Sequence, residues 1–415
     1  VKLLPWQTPF AEELGLRLEA HRGAALLAPT GSGKTFMLSW LCARDGHTPA
    51  VVCPKSVMMA WERTLIGFGV GHYTVVNYER AIKTERLEGS LFVFDEAHRC
   101  KGWNTQAGRL LTRVWQSGAP VVLSTATLAE SPLEMRHTGR VLGLHEDERS
   151  YWRFVIGAGC AKDRWGGWKY GGGQYGMRRV RRLIEPRIVA IADEQVPDKP
   201  ETRIQAVGID IPEPGRVKEL FEEWRRKYAG KRSVNERGVR IDVGEAVGLL
   251  KARQESELQK VQTMVERTLD AEADGTKVVA FFNFREPLAE YAKALACPQF
   301  HGDTPKAERD ELERGFQGNA LPAIAVMVQA GGVGLGFHDP TGRIPRLVLA
   351  CPPWSGYDLL QLLGRTPRVG GAFSTQQILF ALDTPEEAVM RTVQRKTGNL
   401  KALSGAELQR AWMAI

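Results

Sequence analysis

Residues 28–35 read APTGSGKT and residues 95–98 read DEAH, and this pair decides the fold. Gly31 and Gly33 let the backbone curl so that its N–H groups face a phosphate chain, a conformation that a residue with a Cβ adopts only at a cost. Lys34 is placed to reach the β- and γ-phosphates, and the hydroxyl of Thr35 to ligate Mg²⁺. The apolar run 24–28 predicts a buried parallel strand, and 34–44 a helix whose N-terminus holds the anion. Thr30, Gly31, Ser32, Gly33, Lys34 and Thr35 are therefore the candidate nucleotide cradle, with Ala28 where the pattern usually has Gly. A second apolar strand, LFVF at 91–94, delivers Asp95 and Glu96 to its carboxyl end, where α/β sheets bind ligands. Asp95 holds Mg²⁺ through water, and Glu96 orients and deprotonates the attacking water. A solvated acidic turn is the bland alternative, and the upstream phosphate loop weighs against it. ATP and Mg²⁺ are the expected cofactors.

Around these strings strand and helix alternate. Strands are predicted at 50–54, 73–78, 91–94 and 120–125, with helices at 56–68, 79–87 and 104–116. Such alternation implies an α/β parallel sheet with helices on both faces. The pattern restarts at 277 without a phosphate loop, with strands at 277–284, 323–328, 346–351 and 374–382. Helices are predicted there at 285–296, 305–317, 357–363 and 385–400. The expected organisation is a first domain over 1–200, a linker with bridging or projecting helices over 201–270, and a second domain over 271–415. With only one phosphate loop between two such domains, ATP is expected in the cleft between them.

A chain of 415 residues with 43% apolar and 25% charged residues fits two or three soluble domains. The net charge of +8 and pI near 9.2 favour a polyanionic partner. The six cysteines are scattered without a CxxC pair, which argues against zinc or a disulfide framework and fits a reducing cytoplasm. No apolar run approaches the ~20 residues of a membrane span, and no secretory or lipidation motif is visible. A cytoplasmic location is expected, or the host cytoplasm for a phage-encoded chain, and no membrane partner. The chain starts at Val1, which suggests trimming.

Further strings carry a family resemblance over nearly the whole chain. They are LPWQ at 4–7, VVCPKSVMMAWER at 51–63, VNYERA at 76–81, STAT at 124–127, FHGDTPKAERDELERGF at 300–316, VQAGGVGLG at 328–336 and QLLGRTPR at 361–368. Their order resembles a superfamily 2 helicase, and within that group the Swi/Snf-like DNA translocases. The resemblance implies two tandem RecA-like domains, adenine recognition by Gln7, and coupling of the domains by Gln361. Arg365 and Arg368 are implied arginine fingers, a role worth ~10³–10⁵ in rate. Pro367 stands where the family usually has His, and Gly371 where it often has Gln. Lys55, Ser56, Thr125, Thr127 and Gln329 occupy the strand ends where the family grips phosphate backbone, a grip that is largely sequence-independent. His98 is expected to link the ATP site to the nucleic-acid face, and His301 to contact a strand or to pack.

The segment 151–187 is similar to the one that follows motif III in the annealing-helicase and fork-remodelling branch. Trp152, Trp165, Trp168, Tyr170 and Tyr175 interleave there with Lys169, Arg178, Arg179, Arg181 and Arg182. Aromatic rings stack on bases while cations neutralise phosphate, so Trp168, Arg178 and Arg179 are candidate DNA contacts; packing within the first domain is the equal alternative. The resulting expectation is a monomeric, ATP-dependent DNA translocase. It would act on duplex, forked or branched DNA, with single strands also possible, in fork regression, branch migration or annealing. The competing expectations are a strand-separating DNA or RNA helicase and an ATP-gated DNA clamp with little turnover.

Overall fold

The computed structural model describes residues 1–163, 166–234, 240–331 and 335–404. Two compact units emerge. The first holds Val1–Pro197 and, from Gly398, the end of the last helix; the second holds Asp198–Ser233 and Ile241–Thr397.

In the first unit six parallel strands lie in the order Thr74–Asn77, Pro49–Cys53, Leu91–Asp95, Val121–Thr125, Gly23–Leu27, Ile188–Ala190. Every residue of the four strands 23–27, 49–53, 91–95 and 121–125 is buried, which explains their continuous apolar character. Alternate side chains enter two separate cores. Ala25, Leu27, Val52, Phe94 and Leu123 face one; Ala24, Leu26, Val51, Val93 and Val122 face the other, where Trp61 is fully buried. The helix expected at 79–87 is shorter, Tyr78–Lys83, because Asn77 caps its start by accepting from the Arg80 N–H at 2.8 Å and Thr84 leaves the helix in extended backbone. Between the strands Val121–Thr125 and Ile188–Ala190 come the helix Glu148–Gly157, an antiparallel hairpin of Cys160–Lys162 with Trp168–Tyr170, and the helix Gly173–Ile184.

The second unit repeats the scheme. Its parallel order is Gln299–Phe300, Ala323–Met327, Lys277–Phe282, Arg346–Ala350, Ser374–Ala381, Thr202–Ile209. The stretch 201–270 thus supplies the edge strand Thr202–Ile209, followed by the helices Pro214–Lys227 and Val243–Ala273. These two helices lie so close that a Cβ on Gly248 would sit 2.6 Å from the Phe221 carbonyl oxygen. The architecture is α/β, with two tandem RecA-like parallel sheets flanked by helices. Among the described residues no helix is long and apolar enough to cross a membrane.

Candidate nucleotide and nucleic-acid site

Three neighbouring strand ends assemble the site in the first unit. Register pairs Leu27 with Thr125 and Asp95 with Ser124, so the phosphate loop, the acidic pair and the STAT loop leave the sheet side by side. Gly31 and Gly33 have φ of +86° and +81°, the region that favours glycine. A Cβ on Gly33 would also stand 2.3 Å from Gln7 Nε2. Gln7 is buried; its Nε2 donates to the Ser32 carbonyl at 2.9 Å and its Oε1 accepts from the Leu4 N–H at 3.0 Å. One amide hydrogen and one lone pair of Gln7 are thereby used, and a carboxamide has a second of each. Lys34 Nζ donates to the carbonyls of Ala28 and Pro29 at 3.0 and 3.1 Å, while Thr30 and Thr35 are half-buried beside it.

Asp95 is held from three sides. Trp61 Nε1 donates to its Oδ2 at 2.9 Å, Ser124 Oγ to its Oδ1 at 2.9 Å, and the Glu96 N–H to Oδ1 at 3.1 Å. Its carbonyl accepts from the Tyr78 hydroxyl at 2.8 Å. Burial, and then the charge of Glu96, push the Asp95 pKa above the usual carboxylate value. Lys34 opposes that rise, and a hard cation held by the Thr35 hydroxyl and the Asp95 carboxylate would lower the Asp95 pKa further. Oxygen donors of this kind fit Mg²⁺. Among the described residues no group of three or more His, Cys, Asp or Glu side chains is arranged to hold a metal by itself, so the remaining ligands would be phosphate and water.

Glu96 has φ of +51°, a left-handed conformation that costs a non-glycine residue about 1–3 kcal/mol and clusters at functional sites. His98 Nδ1 lies 3.2 Å from Glu96 Oε2 and 3.3 Å from Thr125 Oγ1. Thr125 in turn donates to the Thr127 carbonyl at 2.8 Å and accepts from the Thr127 N–H at 3.1 Å. The STAT loop is thus hydrogen-bonded to Asp95 through Ser124 and to His98 through Thr125, and His98 stands at ion-pair distance from Glu96. Trp61, Tyr78 and Ser124 were missed as functional residues by sequence reasoning. Trp61 and Tyr78 stand within strings already singled out, at 51–63 and 76–81, yet nothing in those strings shows that both reach Asp95.

The other candidates divide by exposure. Lys55 and Ser56 are exposed on the turn Lys55–Val57 that follows the strand Pro49–Cys53, and Gln329 is exposed after Ala323–Met327. Thr125 and Thr127 are buried. In the second unit Gln361 and Arg365 are buried on or beside the helix Gly356–Leu363. Arg365 and Arg368 donate to the Leu335 carbonyl at 3.0 and 3.4 Å, and burial holds the Arg368 pKa below the usual guanidinium value. His301 Nδ1 accepts from the Asp303 N–H at 3.3 Å. Trp168 is half-buried and stacks on Trp152 with centroids 4.4 Å apart at 19°, and Trp152 packs at a tilt against Trp103 at 5.0 Å. Lys162 Nζ lies 5.6 Å from the Trp168 ring centre. Arg178 and Arg179 are exposed on the helix Gly173–Ile184. Trp165 and residues 332–334 of the VQAGGVGLG string lie outside the described residues.

With this geometry in view, two likenesses are informative. Residues 259–370 match the helicase conserved C-terminal domain. The chain is also 27% identical, over an alignment of 461 positions covering 98% of it and 84% of the relative, to a protein of Acanthamoeba polyphaga mimivirus provisionally named an ATP-dependent RNA helicase. Together they support a superfamily 2 helicase. The chain is a nucleic-acid-stimulated ATPase of the helicase type. The helicase domain match covers the second unit's central strands and the helix bearing Gln361, and the phosphate loop and DEAH box lie in the unit before it.

Proposed function

We propose that the chain is an ATP-driven motor that translocates on duplex or branched DNA and remodels it. The observation that carries the motor reading is the continuous link from Glu96 through His98 to Thr125, which ties the hydrolytic carboxylate to a loop at the sheet's carboxyl edge. In this reading the 30–35 loop wraps the triphosphate, Lys34 leaves its carbonyl partners for the β- and γ-phosphates, and Gln7 reads adenine with its second donor and acceptor. Thr35 and Asp95 hold Mg²⁺, which supplies charge neutralisation at the phosphates when bound. Glu96 takes the proton of the attacking water. Arg365 and Arg368 exchange the Leu335 carbonyl for the developing charge on the γ-phosphate, and Gln361 transmits that change within the second unit. Any shift of Glu96 on hydrolysis alters its 3.2 Å contact with His98 and so the Thr125–Thr127 loop. Lys55, Ser56, Thr125, Thr127, His301 and Gln329 are the proposed backbone contacts.

The DNA substrate and the Swi/Snf-like placement rest on the order and wording of the sequence strings. A second reading, a strand-separating RNA helicase, is favoured by the name carried by the mimivirus relative. Steady-state ATP hydrolysis with no nucleic acid, single-stranded DNA, duplex DNA, forked DNA and RNA, measured side by side, separates them. Stimulation by duplex or forked DNA is expected. Stimulation by RNA alone replaces the DNA reading with the second, and turnover unmoved by any nucleic acid overturns the motor.

A further inference from the structure

We infer that the exposed face of the helix Gly173–Ile184 is a separate nucleic-acid contact, with Arg178, Arg179 and Arg182 on the phosphodiester backbone and Tyr175 stacked on an unpaired base. The inference rests on the nucleic-acid reading above and adds to it a place outside the strand ends. Its first support is where the charge lies. Between Glu148 and Arg187 ten basic and three acidic side chains leave a net +7, against +8 for the whole chain. Nearly all of the chain's excess positive charge is gathered in about one tenth of its length, the stretch of sequence from the helix Glu148–Gly157 to the strand Ile188–Ala190.

The second support is how the helix divides its faces. Gly176, Met177, Val180 and Ile184 are buried in the first unit's core beside Ala402 and Leu403. Arg181 is spent on structure: its Nε pairs with Glu185 at 2.6 Å and its Nη1 donates to the Ser404 carbonyl at 2.8 Å. Tyr175, Arg178, Arg179 and Arg182 recur at helical spacing on the opposite side and are exposed. Tyr175 has 74% of its surface open, more than any other large hydrophobic residue described. Arg178 and Arg182, one turn apart, repel each other and cost the helix stability, and among the described residues no carboxylate pairs with these three. An ordinary solvated helix face mixes signs; this one sets three cations and an aromatic ring toward water. Arginine is the residue suited to phosphate oxygens, and an exposed ring takes any base face.

The third support separates this face from the tryptophans nearby. Trp152 stacks on Trp168 and packs at a tilt against Trp103, and Arg136 lies 3.7 Å from the centre of Trp103. Those rings hold the hairpin and the helix Glu148–Gly157 against the unit. The contact therefore belongs to Tyr175 and the three arginines, not to Trp168.

The test is equilibrium binding of labelled single-stranded DNA, single-stranded RNA and blunt duplex to the full chain, by fluorescence anisotropy between about 0.05 and 0.3 M salt. Arg178→Glu, Arg179→Glu and Arg182→Glu together are expected to weaken binding at least tenfold. The slope of log affinity against log salt should flatten by about two to three, as three lost phosphate contacts require. Tyr175→Ala is expected to weaken single-strand binding by at least about fivefold and leave blunt duplex unchanged. The arm that loses most, DNA or RNA, names the polymer. If the triple variant unfolds early on heating, the Gln versions of the same three positions carry the test. Wild-type-like affinity, or weaker binding with an unchanged salt slope, overturns the inference. A wild-type chain that binds neither polymer at low salt overturns the nucleic-acid reading itself.

Discussion

The two units share six parallel strands and differ at the carboxyl edge of the sheet, the place where such sheets bind ligands. In the first unit that edge is a ligand cradle. Its loop turns on two positive-φ glycines, and its carboxylates Asp95 and Glu96 sit together, with burial and the Glu96 charge raising the Asp95 pKa against the opposing pull of Lys34. In the second unit the same edge is filled from within. The long helix Val243–Ala273 sends Arg253, Glu257 and Lys260 onto it. Lys260 Nζ donates to both oxygens of Glu386 at 2.7 and 2.8 Å and to the Leu379 carbonyl at 3.0 Å. Glu257 accepts from the Asn283 and Phe284 N–H groups, and Arg253 donates to the Pro352 carbonyl at 2.8 Å. Burial pushes the Glu257 pKa up to about 7. One scaffold has thus been finished in two ways: an edge proposed to take an outside cation and phosphate, and an edge whose charges are met by partners within the unit.

Disturbing each edge should therefore give different kinds of failure. Glu96→Gln is expected to lower ATP hydrolysis by at least ~100-fold, the usual worth of a general base, with nucleotide binding retained; Lys34→Ala should lose both. Steady-state turnover beside equilibrium nucleotide binding makes the distinction, and a Glu96→Gln chain within tenfold of wild type breaks the proposed roles. At the second edge Lys260→Met strands the buried Glu386 charge, which costs about 3–5 kcal/mol. That loss should be read as faster amide exchange along Ser374–Ala381, and Lys260→Met with Glu386→Gln should recover much of it. Unchanged exchange would mean that the pair adds nothing.

The first unit's core contains a pH-sensitive element that the site does not use. His137 accepts or donates at 2.8 Å with Thr112 and is packed against Gly108. Burial, and then Arg136 and Arg140, lower its pKa from 6.5 to about 4. Between those values the unfolded chain binds the proton and the folded chain does not. The contribution of His137 to stability is therefore complete above about pH 6.5 and is lost as pH falls toward 4, amounting to about 3 kcal/mol at most. His145 shifts in the same direction, chiefly by burial, so His137→Gln should flatten only part of the acid limb. Thermal midpoints of both chains at pH 7 and 4.5 check this; parallel declines would remove His137 from the account.

How much of this was legible follows the length scale of each feature. The phosphate loop, Asp95 and Glu96 could be placed from local strings because a strand, a glycine turn and a helix start occupy consecutive residues. The sheets could be expected because strands buried on both faces are continuously apolar. Ile188–Ala190 was not legible, since a three-residue strand beside Gly23–Leu27 carries no periodic signal of its own. The long helix Val243–Ala273 falls within the 201–270 stretch where helices were expected, yet the burial of Arg253, Glu257 and Lys260 was not legible. Charged residues read as solvent-facing until partners more than a hundred positions away, such as Glu386 for Lys260, are brought in. Trp168 shows the converse: an aromatic–glycine–basic string looks the same whether its rings meet bases or each other.

The smallest expected effect tests whether the first edge is tuned or merely assembled. Trp61 is fully buried and belongs to the core, yet its one polar atom donates to Asp95 Oδ2 at 2.9 Å. Trp61→Phe keeps an aromatic ring in the core and removes that donor, and a hydrogen bond to a charged group is worth about 1.5–3 kcal/mol. Asp95 already titrates high through burial and the neighbouring Glu96. Losing a donor to its ionised form raises it further, so that a smaller fraction is charged at a given pH. The Mg²⁺ concentration for half-maximal ATP hydrolysis should then rise several-fold, about tenfold at most, and the acid limb of the rate profile should move to higher pH. A variant with lower thermal stability but unchanged Mg²⁺ demand and pH profile would make Trp61 a packing residue only. The first edge would then resemble the second more closely than its hydrogen bonds imply.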